Sequence, residues 1–113
     1  MHELSIVMSI VEIAQDQAKK ASAQSIEEIE LDIGKLTGIE MDALEFAWPQ
    51  GVRFSILENA VKKINRIEGR ASCSDCNNSF TIENYYDACP ECGGHLISIT
   101  QGRELRVRSL VVA

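Results

Sequence analysis

The chain has 113 residues, 45% of them apolar and 25% charged, a composition that suits one compact globular protein with a modest core. Its formal charge of −6 argues against nucleic-acid binding, which normally shows as an excess of Lys and Arg on one face. No stretch has the length of a membrane-spanning helix, and the start lacks the basic region and small-residue cleavage site of a secretory signal, so a cytosolic, cytoplasmic protein is expected.

Leu4, Val7, Val11, Ala14, Ala18 and Ala21 recur at steps of three and four, which predicts a helix over about residues 3–21. Ile6, Ile10 and Ile13 widen the stripe, so this helix is expected to lie largely buried against a sheet. After the polar run at 22–25, Ile29, Leu31 and Ile33 alternate with Glu28, Glu30 and Asp32 in the period of a half-buried strand. Gly34 and Gly38 bracket the next turn. Residues 40–48, EMDALEFAW, fit a short second helix with Trp48 in the core, stopped by Pro49 and Gly51. AVKKINRI from Ala60 reads as a second strand. The last strand, ELRVRSLVV, alternates and then turns continuously apolar, so its end is expected to be buried. Arg103, Arg106 and Arg108 are explained more cheaply by a solvated strand face than by contact with nucleic acid.

Two helices and three strands make a small α/β layer, but the span before the last strand is too polar and too rich in Cys to belong to it. The expected organisation is a discontinuous α/β domain of residues 1–70 and 98–113, with a zinc-ribbon-like lobe of residues 71–97 inserted. All four cysteines lie in that lobe, in CSDC at 73–76 and CPEC at 89–92. Two residues between cysteines let a tight knuckle aim both thiolates at one ion. Two facing knuckles then supply the closed tetrahedral set of a structural zinc from Cys73, Cys76, Cys89 and Cys92. Asn77, Gly93 and Gly94 tolerate the left-handed backbone that such knuckles need. A hairpin through SFTIENYY is expected to fill the linker. Residues 71–97 are too few for an independent core and require a metal or disulfides. Disulfides lack a secretory context and a redox CxxC leaves the second pair unexplained, so iron is the more serious rival to zinc.

MHELSIVMSIVEI at 1–13, IELDIGKLTGIE at 29–40, CSDC with CPECGG, and GRELRVRSL at 102–110 occur together in one order. On these segments the chain resembles the HypA/HybF family of hydrogenase maturation factors, which are nickel metallochaperones, from Met1 to the last strand. The resemblance implies a nickel-binding α/β domain interrupted by a zinc domain, with His2 and Glu3 in the nickel motif. It also implies a HypB GTPase as the partner that hydrolyses nucleotide, and the large subunit of a [NiFe]-hydrogenase as the recipient of nickel. Urease maturation proteins are further candidate partners.

The chemistry of the terminus agrees with that implication. His2 brings together the Met1 terminal amine, its own backbone nitrogen and its imidazole, which close small chelate rings around one ion. Nickel(II) favours such square-planar or tetragonal nitrogen and oxygen sets. A residue as bulky as His2 should also leave the initiator Met1 in place. Glu3 suits the positive end of the first helix as well as the nickel motif. Glu40 reads as a helix-start carboxylate or as an outer nickel ligand, and His95 as a surface histidine or as a ligand that folds back. No P-loop, dinucleotide fingerprint or nucleophile–base pair is evident, so no enzyme is expected. The competing function, a zinc-ribbon module that binds RNA or a transcription complex, is opposed by the acidic balance and the lack of a basic, aromatic surface.

Overall fold

The computed structural model describes residues 3–113. Its elements are α1 (Glu3–Lys20), β1 (Ile26–Gly34), α2 (Met41–Val52), β2 (Val61–Ile67), β3 (Gly69–Cys73), β4 (Ser79–Ile82), β5 (Ile97–Gln101) and β6 (Leu105–Val112). Two three-stranded sheets result, ordered β2-β1-β6 and β4-β3-β5. The two helices and the first sheet are the α/β layer read from the sequence. The second sheet is an addition to it. The chain divides into two compact units, one running to Leu31 and resuming at Gly38–Asn65 and Arg106–Ala113, the other made of Asp32–Thr37 and Arg66–Leu105.

In the first unit α1 packs on α2. Val7, Ile10, Val11, Ala14 and Ala18 are the buried face of α1, as the three-and-four spacing requires. Leu4 and Ile13 were expected in the same face but are 46% and 45% exposed. They sit at the margins of the stripe, where a helix covered on one side reaches solvent. α2 runs through both residues expected to stop it. Pro49 removes one hydrogen bond and crowds the preceding turn, at a cost of about 3 kcal/mol in a helix interior. Trp48 and Val52 are buried on either side of it, and full burial of a large apolar side chain contributes about 1.5–3 kcal/mol. Burial of the last turn therefore outweighs the local signal. The chain at the end of α2 is tied down by Ser55, whose N–H and hydroxyl both donate to the Val52 carbonyl, and by fully buried Leu57.

β6 is an edge strand whose last residues were expected to be buried. Val111 and Val112 are instead 42% and 39% exposed, because a strand at the edge of a three-stranded sheet has neighbours on one side only. The Ala113 N–H donates to Ser25 O and the Gln24 N–H to Ala113 O, which fastens the end of the chain beside the start of β1.

In the second unit β3 is central, antiparallel to β4 and to β5, with a register shift between Arg70 and Ala71 against β5. Its alternate burial puts Gly69, Ala71 and Cys73 inside. Leu36, Ala71, Cys73, Phe80, Ile82 and Cys89 form the core, with half-buried Ile97 and Ile99 packed against it. The expected hairpin through SFTIENYY does not form. Ser79–Ile82 pairs with β3 across the first cysteine pair. The chain then turns at Glu83–Asp87, where the Asp87 carboxylate accepts the N–H groups of Glu83 and Asn84 at 2.8 and 3.2 Å. A side chain that reaches back to N–H groups three and four residues earlier satisfies that backbone locally and takes those residues out of any ladder. Gly102, at φ +115, lies where an added Cβ would come within 2.7 Å of the Gly69 Cα, so both its conformation and its close approach to that backbone require glycine.

Candidate metal centre

The two cysteine pairs fold into matching knuckles. In the first, the Cys73 N–H donates to Asn78 O and the Asn77 N–H to Cys73 O, at 2.8 and 2.9 Å. In the second, the Cys89 N–H donates to Gly94 O and the Gly93 N–H to Cys89 O, at 2.9 and 2.8 Å. The reversal is made by one left-handed residue in each, Asn77 at φ 60 and Gly93 at φ 73. Those are two of the residue types that adopt this conformation at low cost. The first cysteine of each pair is buried and the second exposed.

The knuckles bring all four sulfurs within 4.8 Å of one another. Cys73 Sγ lies 3.6 Å from Cys92 Sγ, and Cys76 Sγ 3.6 Å from Cys89 Sγ. A tetrahedron of sulfurs around zinc, with Zn–S about 2.3 Å, has edges of about 3.8 Å. The donor set and its spacing are thus consistent with zinc. Asn78, which the cysteine spacing does not reveal, adds an outer contact through Nδ2 at 3.9 Å from Cys89 Sγ. Gly94 lies close to the cluster, where an added Cβ would be 3.3 Å from Cys92 Sγ and 2.9 Å from Asp75 Oδ2, the tip of an exposed side chain.

The thiols do not ionise alike. At Cys89, burial disfavours the thiolate, but the N–H groups of Cys92 and Glu91 aimed at its sulfur outweigh this and bring its pKa down to about 6. At Cys76, the Asn78 N–H favours the thiolate, yet the neighbouring sulfurs, Cys89 first, and burial push the pKa up to about 12. Cys92 is also raised, because the sulfur of Cys73 and burial prevail over the Gly94 N–H. Four sulfurs this close cannot all carry charge unless a cation sits among them. The cluster is arranged for a metal, with backbone amides ready to share the charge.

Among the described residues these four cysteines are the only group of three or more ligating side chains within reach of one ion. His95 is exposed just beyond the second knuckle. Met1 and His2 lie outside the described residues. Glu3 opens α1, and its Oε2 accepts the backbone N–H of Glu40 at 3.3 Å. Glu40 is the N-cap of α2 and makes no side-chain cap bond of its own. The two acids singled out in the sequence are therefore brought together across 37 positions.

Comparison with known proteins extends over the whole chain. Residues 1–112 match the family described as "Hydrogenase/urease nickel incorporation, metallochaperone, hypA". The chain is 46% identical to the hydrogenase maturation factor HypA of Parabacteroides distasonis over 99% of its own length and 97% of that protein. It is 42% identical to the factor of the same name from Azotobacter vinelandii, over 99% of each. Its fold is similar to the solution structure of the Ni metallochaperone HypA from Helicobacter pylori, with a TM-score of 0.72 and 29% identity over 99% of this chain and 97% of that one.

Proposed function

This chain belongs to the HypA family of nickel metallochaperones for hydrogenase and urease, and on that footing we propose that it binds nickel(II) at its N-terminus. It passes the ion, with a GTPase of the HypB kind, to the large subunit of a [NiFe]-hydrogenase. The observation that supports this most is the position of the family match, which begins at residue 1 and so includes Met1, His2 and Glu3. The Met1 amine, the His2 backbone nitrogen and the His2 imidazole form the chelate. The segment of Glu3 completes the motif, and Glu40 and His95 are candidate outer ligands. Urease maturation proteins are a further candidate recipient, since the family description names both enzymes.

The four-cysteine cluster is the resident site, held by Cys73, Cys76, Cys89 and Cys92, and we assign zinc to it. Bound there, zinc neutralises the thiolates and joins the two knuckles. Four protein ligands leave no position for substrate, so the site organises the second unit rather than catalysing a reaction. The proposed location is the cytoplasm, where thiols stay reduced.

Calorimetric nickel titration of untagged protein with mass-verified Met1 tests the terminal site. One nickel per chain is expected for the wild type. Specific binding should be lost in His2→Ala and in a variant extended by one residue before Met1, with zinc content unchanged in both. Affinity should fall on mild acidification, because protons compete for an amine of reference pKa about 7.7–8.0 and an imidazole near 6.5. Unchanged nickel affinity in both variants would exclude a terminal site.

A further inference from the structure

We propose that Glu3 is a positioning residue for the nickel-binding terminus: its carboxylate holds the start of α1 on the amide of Glu40 and is not itself given to the ion. The inference rests on the terminal-nickel reading and specifies how that site is held in place.

The first support is the way α2 begins. A helix start leaves N–H groups without partners, and in a capping box the acid at the third helical position reaches back to the N–H of the N-cap residue. The N-cap of α2 is Glu40, and the third helical position is Ala43, which has no oxygen to offer. Glu3 takes over that duty from another helix, with Oε2 3.3 Å from the Glu40 nitrogen. One carboxylate thus serves the first turn of α1, on which it sits, and the start of α2, where the aligned peptide dipoles also favour an anion. Because Glu3 fills this place, the Glu40 carboxylate is not needed there.

The second support lies farther along α2. Gly51 is buried against α1, and a Cβ built on it would lie 2.9 Å from Val7 Cβ and 3.5 Å from Leu4 Cδ1. Glu3 and Val7, one helical turn apart on α1, therefore meet Glu40 and Gly51 at the two ends of α2. Two contacts a turn apart on one helix resist both sliding along its axis and rotation about it. His2 is bonded to the nitrogen of Glu3, so the chelating residues depart from a fixed origin. Freedom removed before the ion arrives does not have to be removed by the ion, which is the usual gain from preorganisation.

Glu3→Gln, Glu3→Ala and Glu3→Asp separate this role from ligation. Glutamine keeps an oxygen that can accept the Glu40 N–H, alanine removes it, and aspartate keeps the charge but shortens the reach by one methylene. Nickel affinity is measured by calorimetry, the coordination by the visible absorption of bound nickel, and the anchor by hydrogen exchange of the Glu40 amide. Circular dichroism at the assay temperature establishes that each variant is folded. Glu3→Gln should stay within about threefold of wild-type affinity, whereas Glu3→Ala and Glu3→Asp should each lose about fivefold to tenfold, the size of a lost cap. The absorption bands should be unchanged in all three, and the Glu40 amide should exchange faster in the last two only. If Glu3→Gln binds as weakly as Glu3→Ala and the bands shift, Glu3 is a ligand and the inference is wrong. It is equally wrong if Glu3→Ala binds like wild type. A His2→Ala control that retains full affinity overturns the terminal site itself, an outcome distinct from either of these.

Discussion

Gly51→Ala sets two effects of opposite sign against each other. Alanine is favoured over glycine in a helix interior by about 1 kcal/mol, because glycine has more backbone freedom to lose. Against that, the new methyl would meet the Cγ1 of Val7 and come within 2.9 Å of its Cβ. Val7 is fully buried, and its branched side chain has no free rotamer into which to retreat. Overpacking of this kind costs about 1–3 kcal/mol, and contact at a Cβ, which moves only with the backbone, puts it near the top of that range. The net expectation is a loss of about 2 kcal/mol, or about 8 °C in melting temperature at about 4 °C per kcal/mol for a domain of this size. Thermal denaturation of the zinc-loaded protein measures it. Val7→Ala removes the Cγ atoms, so the double variant should lose less than the sum of the single losses by about 1 kcal/mol. Equal or greater stability of Gly51→Ala would refute the reasoning, since it would mean that the two helices separate freely where Gly51 meets Val7.

Substituting either cysteine of an opposed pair, Cys73→Ser or Cys92→Ser, should remove the metal found by elemental analysis and abolish amide protection through β3, β4 and β5. A structural zinc contributes about 10–16 kcal/mol of apparent binding energy at neutral pH, more than the few buried side chains of that unit supply. Normal protection in metal-free protein would contradict this. Glu30 should titrate below the ordinary carboxylate range. The Asn65 amide at 2.7 Å lowers its pKa most, burial opposes, and the Ser109 hydroxyl, Arg108 and Lys63 add to the lowering. A pKa lowered by folding means that the fold favours the carboxylate. The contribution is therefore present at neutral pH and is lost as pH falls through the folded-state value. Carboxyl NMR titration should find Glu30 moved back towards the ordinary range in Asn65→Ala. No movement would remove Asn65 as the cause.

What could be read from the sequence depended on how local each determinant is. Each cysteine knuckle closes within six residues, 73–78 and 89–94, so CxxC with its following Asn or Gly carries the whole geometry. The middle of the buried face of α1, from Val7 to Ala18, follows from period, whereas Leu4, Ile13 and Ala21, which fit the same pattern, are exposed. The end of α2 does not, because Pro49 and Gly51 obey local rules that burial of Trp48 and Val52 overrides. β3 and β5 are five residues each. β3 shows the core only Gly69, Ala71 and Cys73, too small an apolar signal to separate from a loop. The contact of Glu3 with Glu40 joins residues that no periodicity links, and only the packing of α1 on α2 places them together.

The two proposed metal sites differ in the way a resident ion and a cargo should. The sulfur cluster draws its ligands from two knuckles, buries two of them, and directs backbone amides at the sulfurs. An ion held there is tied to the folding of its unit, and losing it means unfolding that unit. A terminal chelate is different in kind. Its proposed donors, an amine and an imidazole, take up protons near neutral pH. Such a site can open without disturbing the fold, provided that something holds its base in place. For the proposed site, Glu3 on Glu40 and Val7 against Gly51 hold the start of α1, so that protonation of the donors would release the ion while the first turn of α1 keeps its place.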